Sequence, residues 1–146
     1  MKAAIGGVVN LFLVVIFIVI ISSLLLFNVS YAKSYRVKNK IITTYEQYEG
    51  RCGLHTSCQN EIKRYEDRLG YNVTREMVAD AARGETCYQD LGYCAIKQKA
   101  ANYKQGNRAY TYKIRTEVKV RFPFVEDILG IGTFKISGKT KDIVES

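Results

Sequence analysis

The residues best suited to chemistry in this chain are its four cysteines, which form two close pairs. Cys52 lies six positions before Cys58, and Cys87 lies seven positions before Cys94. Such pairs behind a membrane segment are typical of a disulfide framework, although four cysteines allow three connectivities. The only histidine, His55, lies between the first two cysteines, so a Cys/His zinc site stays an alternative. Paired zinc ligands are usually only two to four residues apart, and we therefore predict two local disulfides.

A second group of residues could bind an anionic partner. In two stretches of the C-terminal half, basic side chains alternate with apolar ones, which predicts two strands with one apolar and one basic face. Such a face could bind DNA or an anionic wall polymer, although it is also typical of a solvated surface whose lysines discourage edge pairing. The basic side chains are Lys113, Arg115, Lys119, Arg121, Lys135, Lys139 and Lys141.

Motifs for catalysis are not found in the sequence. There is no Gly-x-Ser-x-Gly, no phosphate-binding loop and no paired-histidine motif. We therefore predict that the protein is not an enzyme, with no catalytic residues, no cofactor and no metal site.

The element that must position these residues is a long apolar stretch at the N-terminus. Residues 3–32 contain no charged side chain. As a helix, residues 8–27 would be about 30 Å long, which matches the hydrocarbon core of a bilayer. Three interpretations compete: a cleaved signal peptide ending at Ala32, a plain single-pass anchor, and a pilin-type helix. The apolar region of a signal peptide is usually only about 7–15 residues long, which favours the other two.

The helix is predicted to continue beyond the apolar stretch. Val37, Ile41, Tyr45 and Tyr48 are spaced to lie on one helical face, and Gly50 is a natural C-terminal stop. One helix from residue 8 to about residue 49 would thus be apolar all round in its first half and apolar along one stripe in its second. That stripe requires a packing partner.

Residues 33–146 supply the partner as one head domain, downstream of the membrane segment at residues 1–32. We predict short helices at 57–69 and 74–83, and strands at 92–100, 110–122 and 133–143. An antiparallel sheet with one apolar face would pack on the long helix. The predicted fold is therefore α+β, with a long N-terminal helix on a small sheet.

Charge and cysteines give opposite indications of membrane orientation. The chain has 22 basic and 14 acidic residues, and every charged residue except Lys2 follows the apolar stretch. The positive-inside rule applied to Lys33, Arg36, Lys38 and Lys40 favours a cytoplasmic head. Disulfides require an oxidising compartment. We give the cysteines more weight and predict a single-pass membrane protein with an extracytoplasmic domain, or a subunit of a surface filament.

Both ends of the chain resemble one known family. Four features carry the likeness: the uncharged N-terminal helix with its extension, a strand ending in Arg121-Phe122-Pro123-Phe124, the run Ile128-Leu129-Gly130, and a last strand over residues 133–141. Together they resemble TadE-like minor pilins of tight-adherence pilus systems. The middle of the chain has no such likeness.

The resemblance implies an exported subunit that joins or primes a surface filament. It also implies membrane lipid and other pilin-like subunits as partners of the N-terminal helix, and processing near Gly6 or Gly7. A cut after Gly7 places Phe12 at the fifth position, where such subunits usually have Glu. The alternative function is a lone anchored module that uses its basic sheet face to bind DNA or an anionic wall polymer.

Overall fold

The computed structural model of the chain describes residues 1–71, 83–104, 106, 108–119 and 133–144. Helix α1 spans Lys2–Gln47 without a break. It is capped at Tyr48 and followed by Gly50 in the left-handed conformation, with φ of 75°. Glycine adopts this conformation without the steric cost that a side chain would add. The predicted continuous helix ending near residue 49 is therefore confirmed to within two residues.

The two halves of α1 have different surroundings. Side chains of the apolar half are almost all exposed, whereas the second half is buried along one stripe. The predicted members Val37, Ile41 and Tyr45 are buried, and Tyr48 is half-buried. The buried stripe also includes polar positions that hydrophobic periodicity did not indicate, namely Ser34, Lys38 and Thr44.

A second helix follows a short 3-10 turn at Arg51–Gly53. Helix α2 covers Thr56–Leu69 and confirms the prediction at 57–69. Its buried line is Cys58, Ile62 and Glu66, whereas Tyr65 and Leu69, which are spaced to share a face with Ile62, are half-buried. The helix predicted at 74–83 lies outside the described residues, except for Arg83, which is in a turn.

In the part of the chain that the structure describes, five strands form one antiparallel sheet. They are β1 (Thr86–Tyr88), β2 (Tyr93–Lys99), β3 (Ala109–Lys119), β4 (Thr133–Lys139) and β5 (Ile143–Val144). The order is β1-β2-β3-β4, and β5 pairs with the start of β3. The strand predicted at 92–100 matches β2. The strand predicted at 110–122 matches β3 as far as Lys119, and its last three residues lie outside the described part of the chain. Strand β1 was not predicted.

The strand predicted over residues 133–143 is divided in two. Strand β4 ends at Lys139, and at the next residue the Thr140 side chain takes part in the bonding to Tyr112. The Thr140 N–H donates to the Tyr112 carbonyl at 2.9 Å, and its Oγ1 accepts from the Tyr112 N–H at 2.9 Å. The Lys141 N–H then donates to Glu46 Oε1 at 2.9 Å, which connects this turn to the end of α1.

The core lies between α1 and one face of the sheet. Tyr93 and Ile114 are fully buried there against Ile41 and the rest of the α1 stripe. At Gly138 a Cβ would come within 2.7 Å of Ile42 Cδ1, so glycine lets α1 approach β4 closely. Each large apolar side chain buried in this way contributes about 1.5–3 kcal/mol. The fold is therefore α+β, with a long N-terminal helix on an antiparallel sheet, as predicted.

Candidate functional site

The exposed half of α1 is the largest apolar surface among the described residues. It includes Phe12, Phe17 and Leu25, each at least 60% exposed. By length and composition, α1 is one helix that could cross a membrane. Within the apolar half, Ser23 Oγ donates to the Val19 carbonyl at 2.8 Å, so this polar group is satisfied within the helix. This segment is a candidate membrane anchor.

The predicted processing positions lie at the start of this helix. Gly6 and Gly7 are both helical and exposed, with open space where a Cβ would stand. Nothing in their packing requires glycine. Processing there remains a prediction.

The four cysteines form the two local disulfides that their spacing predicted, Cys52–Cys58 and Cys87–Cys94. The first joins the turn after α1 to the first turn of α2, and the second joins directly paired residues of β1 and β2. His55 packs beside the ring of Tyr48, with 6.3 Å between ring centroids. The alternative of a Cys/His zinc site is not supported by this arrangement.

One group of possible metal ligands lies close together in the described part of the chain. Side-chain donor atoms of Glu85, Cys87 and Cys94 lie within 4.8 Å of one another. The two sulfurs are joined to each other, whereas zinc and similar ions bind thiolates. The group therefore provides one carboxylate and is not a metal site in this oxidised form.

The sheet face opposite α1 is where the sequence predicts an anion-binding stripe. The side chains of Lys135, Lys139 and Lys141 are exposed, and Lys113 is partly exposed. Lys113 pairs with Lys139 across the sheet, which places two cations side by side. Only the backbone of Lys119 is described, where it pairs with Thr133, and Arg121 lies outside the described residues.

Arg115 occupies a different environment from the other members of the stripe. Its guanidinium donates two bonds to Glu85, at 3.0 and 3.1 Å, and one to Glu117 Oε1 at 3.0 Å. All three side chains are nearly buried, with 12%, 6% and 3% exposure for Arg115, Glu85 and Glu117. Arg115 therefore connects β3 to Glu85 in the segment before β1, and its charge is balanced by these carboxylates. The position of Glu117 two residues from Arg115 could have indicated this pairing from the sequence.

A cluster of buried tyrosines lies where α1 meets β2 and β3. The hydroxyls of Tyr45 and Tyr93 are 3.3 Å apart, and Tyr88 stacks on Tyr93 with 4.9 Å between ring centroids. Burial is the main cause of the raised pKa values of Tyr45 and Tyr93. Burial also raises the pKa of Tyr71 to about 12, and its hydroxyl donates to the Glu117 carbonyl. These phenols stay neutral at physiological pH and act as hydrogen-bonding core residues.

Glu66 is a buried acid that the sequence did not single out. It is 3% exposed on α2, and its Oε1 has no hydrogen-bond partner within the described structure. Burial, helped by the nearby charge of Asp67 and opposed by that of Lys63, raises the pKa of Glu66 to about 8. Helical periodicity places Glu66 in line with Cys58 and Ile62, which was the available signal.

A small cleft opens beside the tyrosine cluster. It has a volume of ≈180 Å³, and its lining includes Tyr88, Tyr112, Lys97 and three glycines. Pockets for small organic ligands usually have volumes of about 300–1,000 Å³. The two glycines at positions 50 and 53 are explained by packing, because Cβ atoms there would clash with Tyr112 and Tyr88. We assign this cleft no ligand.

Comparison with protein-family models, with curated proteins and with solved structures finds no match for this chain. Its own geometry is therefore the basis for a proposal of function.

Proposed function

We propose that the protein is a pilin-like structural subunit or pilus-assembly component that is anchored in the membrane by α1 before assembly. One observation carries the proposal: the same unbroken helix forms the apolar span and the inner layer of the head. Partners in this function are membrane lipid and the N-terminal helices of other pilin-like subunits.

The continuity of α1 fixes the head to the span. Ser34, only two residues after the uncharged stretch, is fully buried under the sheet, where its Oγ lies 3.3 Å from Thr116 Oγ1. Lys38 and Lys40 are also part of the head: the first packs near Gly138, and the second bonds Glu61 at 2.6 Å. The head consequently follows any displacement of the helix. This coupling suits a subunit whose head must take a defined place when helices pack together.

The composition of the span suits both a lipid bilayer and a bundle of packed helices. Apart from Asn10, Ser22 and Ser23, its side chains are apolar, so the helices of neighbouring subunits could replace lipid around most of its surface. The aromatic contact between Phe27 and Phe134, at 5.1 Å, also connects the span to the head. Loss of the span by cleavage after Ala32 would remove this contact, which supports retention of the helix.

The alternative, a lone anchored module that binds DNA or an anionic wall polymer, has weaker support. Lys113 and Lys139 lie side by side on the outer sheet face. On the same face, the charge of Arg115 is balanced by the carboxylates of Glu85 and Glu117. Glu117 also lies directly opposite Lys135 on the neighbouring strand. The described part of this face thus alternates in charge. A binding face would be expected to present a continuous positive field.

The test of the proposal is to shear cells and probe the released filaments and the membranes separately for this protein. Mass spectrometry of its N-terminus in each fraction would also detect processing near Gly6 or Gly7. We expect the protein in both fractions, with α1 retained. Its complete absence from sheared material, together with normal pilus production by cells that lack the protein, would contradict the proposal.

A variant with a generic span provides the matched control. Residues 8–27 would be replaced by alternating Leu and Ala, which preserves length and membrane insertion but not the shape of the helix surface. We expect this variant to remain in membranes and to be lost from the sheared fraction. Normal assembly of the variant would show that α1 acts only as an anchor.

A further inference from the structure

The position of the bilayer along α1 follows from its charges. The uncharged stretch covers residues 3–32, and a hydrocarbon core of about 30 Å centred on it covers residues 8–27. Phe27 then lies at the outer hydrocarbon boundary. Tyr31 and Tyr35, which are 44% and 46% exposed, follow at one-turn intervals. Tyrosine is enriched at the headgroup level, so this spacing agrees with the placement.

The head reaches the same level as Phe27. The Phe134 ring, at the start of β4, meets the Phe27 ring edge-on with 5.1 Å between centroids, and Phe27 also lies 6.0 Å from Tyr31. Phe27 and Phe134 form a small apolar cluster with Ile136, separate from the main core. Phe134 is only partly buried by the protein. Since it contacts Phe27, it must lie within a few ångströms of the depth of Phe27.

We propose that the edge of the sheet at Phe134 is inserted in the bilayer interface beside Phe27 and Tyr31, so that the head is seated on lipid. The partner is the interfacial layer of a phospholipid bilayer, where aromatic rings are favoured. Lys33 and the exposed Arg36 lie just above this layer on α1, at the level of lipid phosphates. The head thus has a second contact with the membrane, in addition to its helix.

The inference rests on the membrane anchorage proposed above, and it does not depend on filament assembly. The chain contains no tryptophan, so a single introduced tryptophan is a specific fluorescent probe. Phe134→Trp places it at the proposed contact. Phe17→Trp places it near the bilayer centre, and Leu54→Trp places it beyond the far end of α1 on an 87% exposed side chain. Leu54 follows Gln47, which is about 30 Å along the helix axis from Phe27.

The experiment measures tryptophan emission of the full-length variants in phosphatidylcholine nanodiscs with lipids brominated either near the headgroup or deep in the acyl chain. We expect shallow bromines to remove most of the emission of Phe134→Trp. Deep bromines should quench Phe17→Trp, and neither lipid should quench Leu54→Trp. If Phe134→Trp behaves like Leu54→Trp while Phe17→Trp is quenched, the protein is anchored but the seating of the head is wrong. If Phe17→Trp is not quenched, anchorage itself fails.

A second variant keeps the test valid if Phe134→Trp does not fold. Lys135 is exposed on the opposite face of β4, one position along the strand. Lys135→Trp therefore reports a similar depth without altering the contact with Phe27. Quenching by shallow bromines is again expected. Emission that resembles that of Leu54→Trp would overturn the proposal.

Discussion

Glu66 is the residue whose ionisation most directly affects the stability of the head. Its carboxyl group is buried on α2 near Tyr71 and Tyr93, with Asp67 and Lys63 as its charged neighbours. Burial penalises the charged form, which raises the pKa of Glu66 from 4.5 to about 8. The folded state therefore keeps a proton that the unfolded state loses. Its contribution to stability is fully present below the unfolded pKa and is lost as pH rises through the folded pKa.

We predict that Glu66→Gln removes this pH dependence. Gln preserves the shape of the side chain and cannot ionise. As pH rises from about 4.5 to about 8, the unfolding free energy of the wild type should therefore fall by about 1.4 kcal/mol per pH unit relative to that of the variant. Denaturant unfolding across this pH range measures the difference. Asp90→Asn, on an exposed side chain, is the control and should not alter the slope. Parallel stability profiles for wild type and Glu66→Gln would disprove a neutral Glu66.

At the scale of elements, the disulfides support the least regular connections. Cys87–Cys94 closes the hairpin of β1 and β2, and β1 is only three residues long. Cys52–Cys58 holds the turn between α1 and α2. A short strand and a tight turn have few hydrogen bonds of their own to stabilise them. A disulfide at each place stabilises the folded state because it restricts the unfolded chain.

We predict that replacing both Cys87 and Cys94 with Ser costs about 2 kcal/mol of unfolding free energy, as expected for so short a closed loop. The denaturation midpoint of the full-length protein measures this loss. Addition of reductant should lower the wild-type midpoint but have a smaller effect on the variant. An unchanged midpoint in both experiments would show that the bridge is dispensable.

The sequence predicted most elements because their patterns were long and periodic. Helix α1 and strand β3 each repeat their pattern over many residues. Strand β1 is too short to show periodicity, and its pairing with β2 includes the Cys87–Cys94 disulfide. The division between β4 and β5 depends on Thr140 bonding to Tyr112, a contact between residues far apart in sequence. Local patterns do not contain such contacts.

The candidate sites were predicted unevenly for the same reason. Cysteine spacing indicated both disulfides, because each pairing is local. The alternation of β3 correctly placed Arg115 away from the core but did not show that Glu85 pairs with it. Likewise, Glu66 was assigned no role, because a single acid in a helix is usually solvated. Partners supplied by distant segments require the tertiary structure.

For the whole molecule, the central claim is that one unbroken helix joins the membrane span to the head. Hydrogen exchange of the backbone amides at residues 28–36, in full-length protein in nanodiscs, tests this claim most directly. In the proposed placement these amides lie above the hydrocarbon boundary, so their protection would come from the helix and the packed head. We predict slow exchange throughout residues 28–36 and rapid exchange in the turn at Ala101 and Asn102. Equally rapid exchange in both places would mean that a flexible linker separates anchor and head, and would contradict the account.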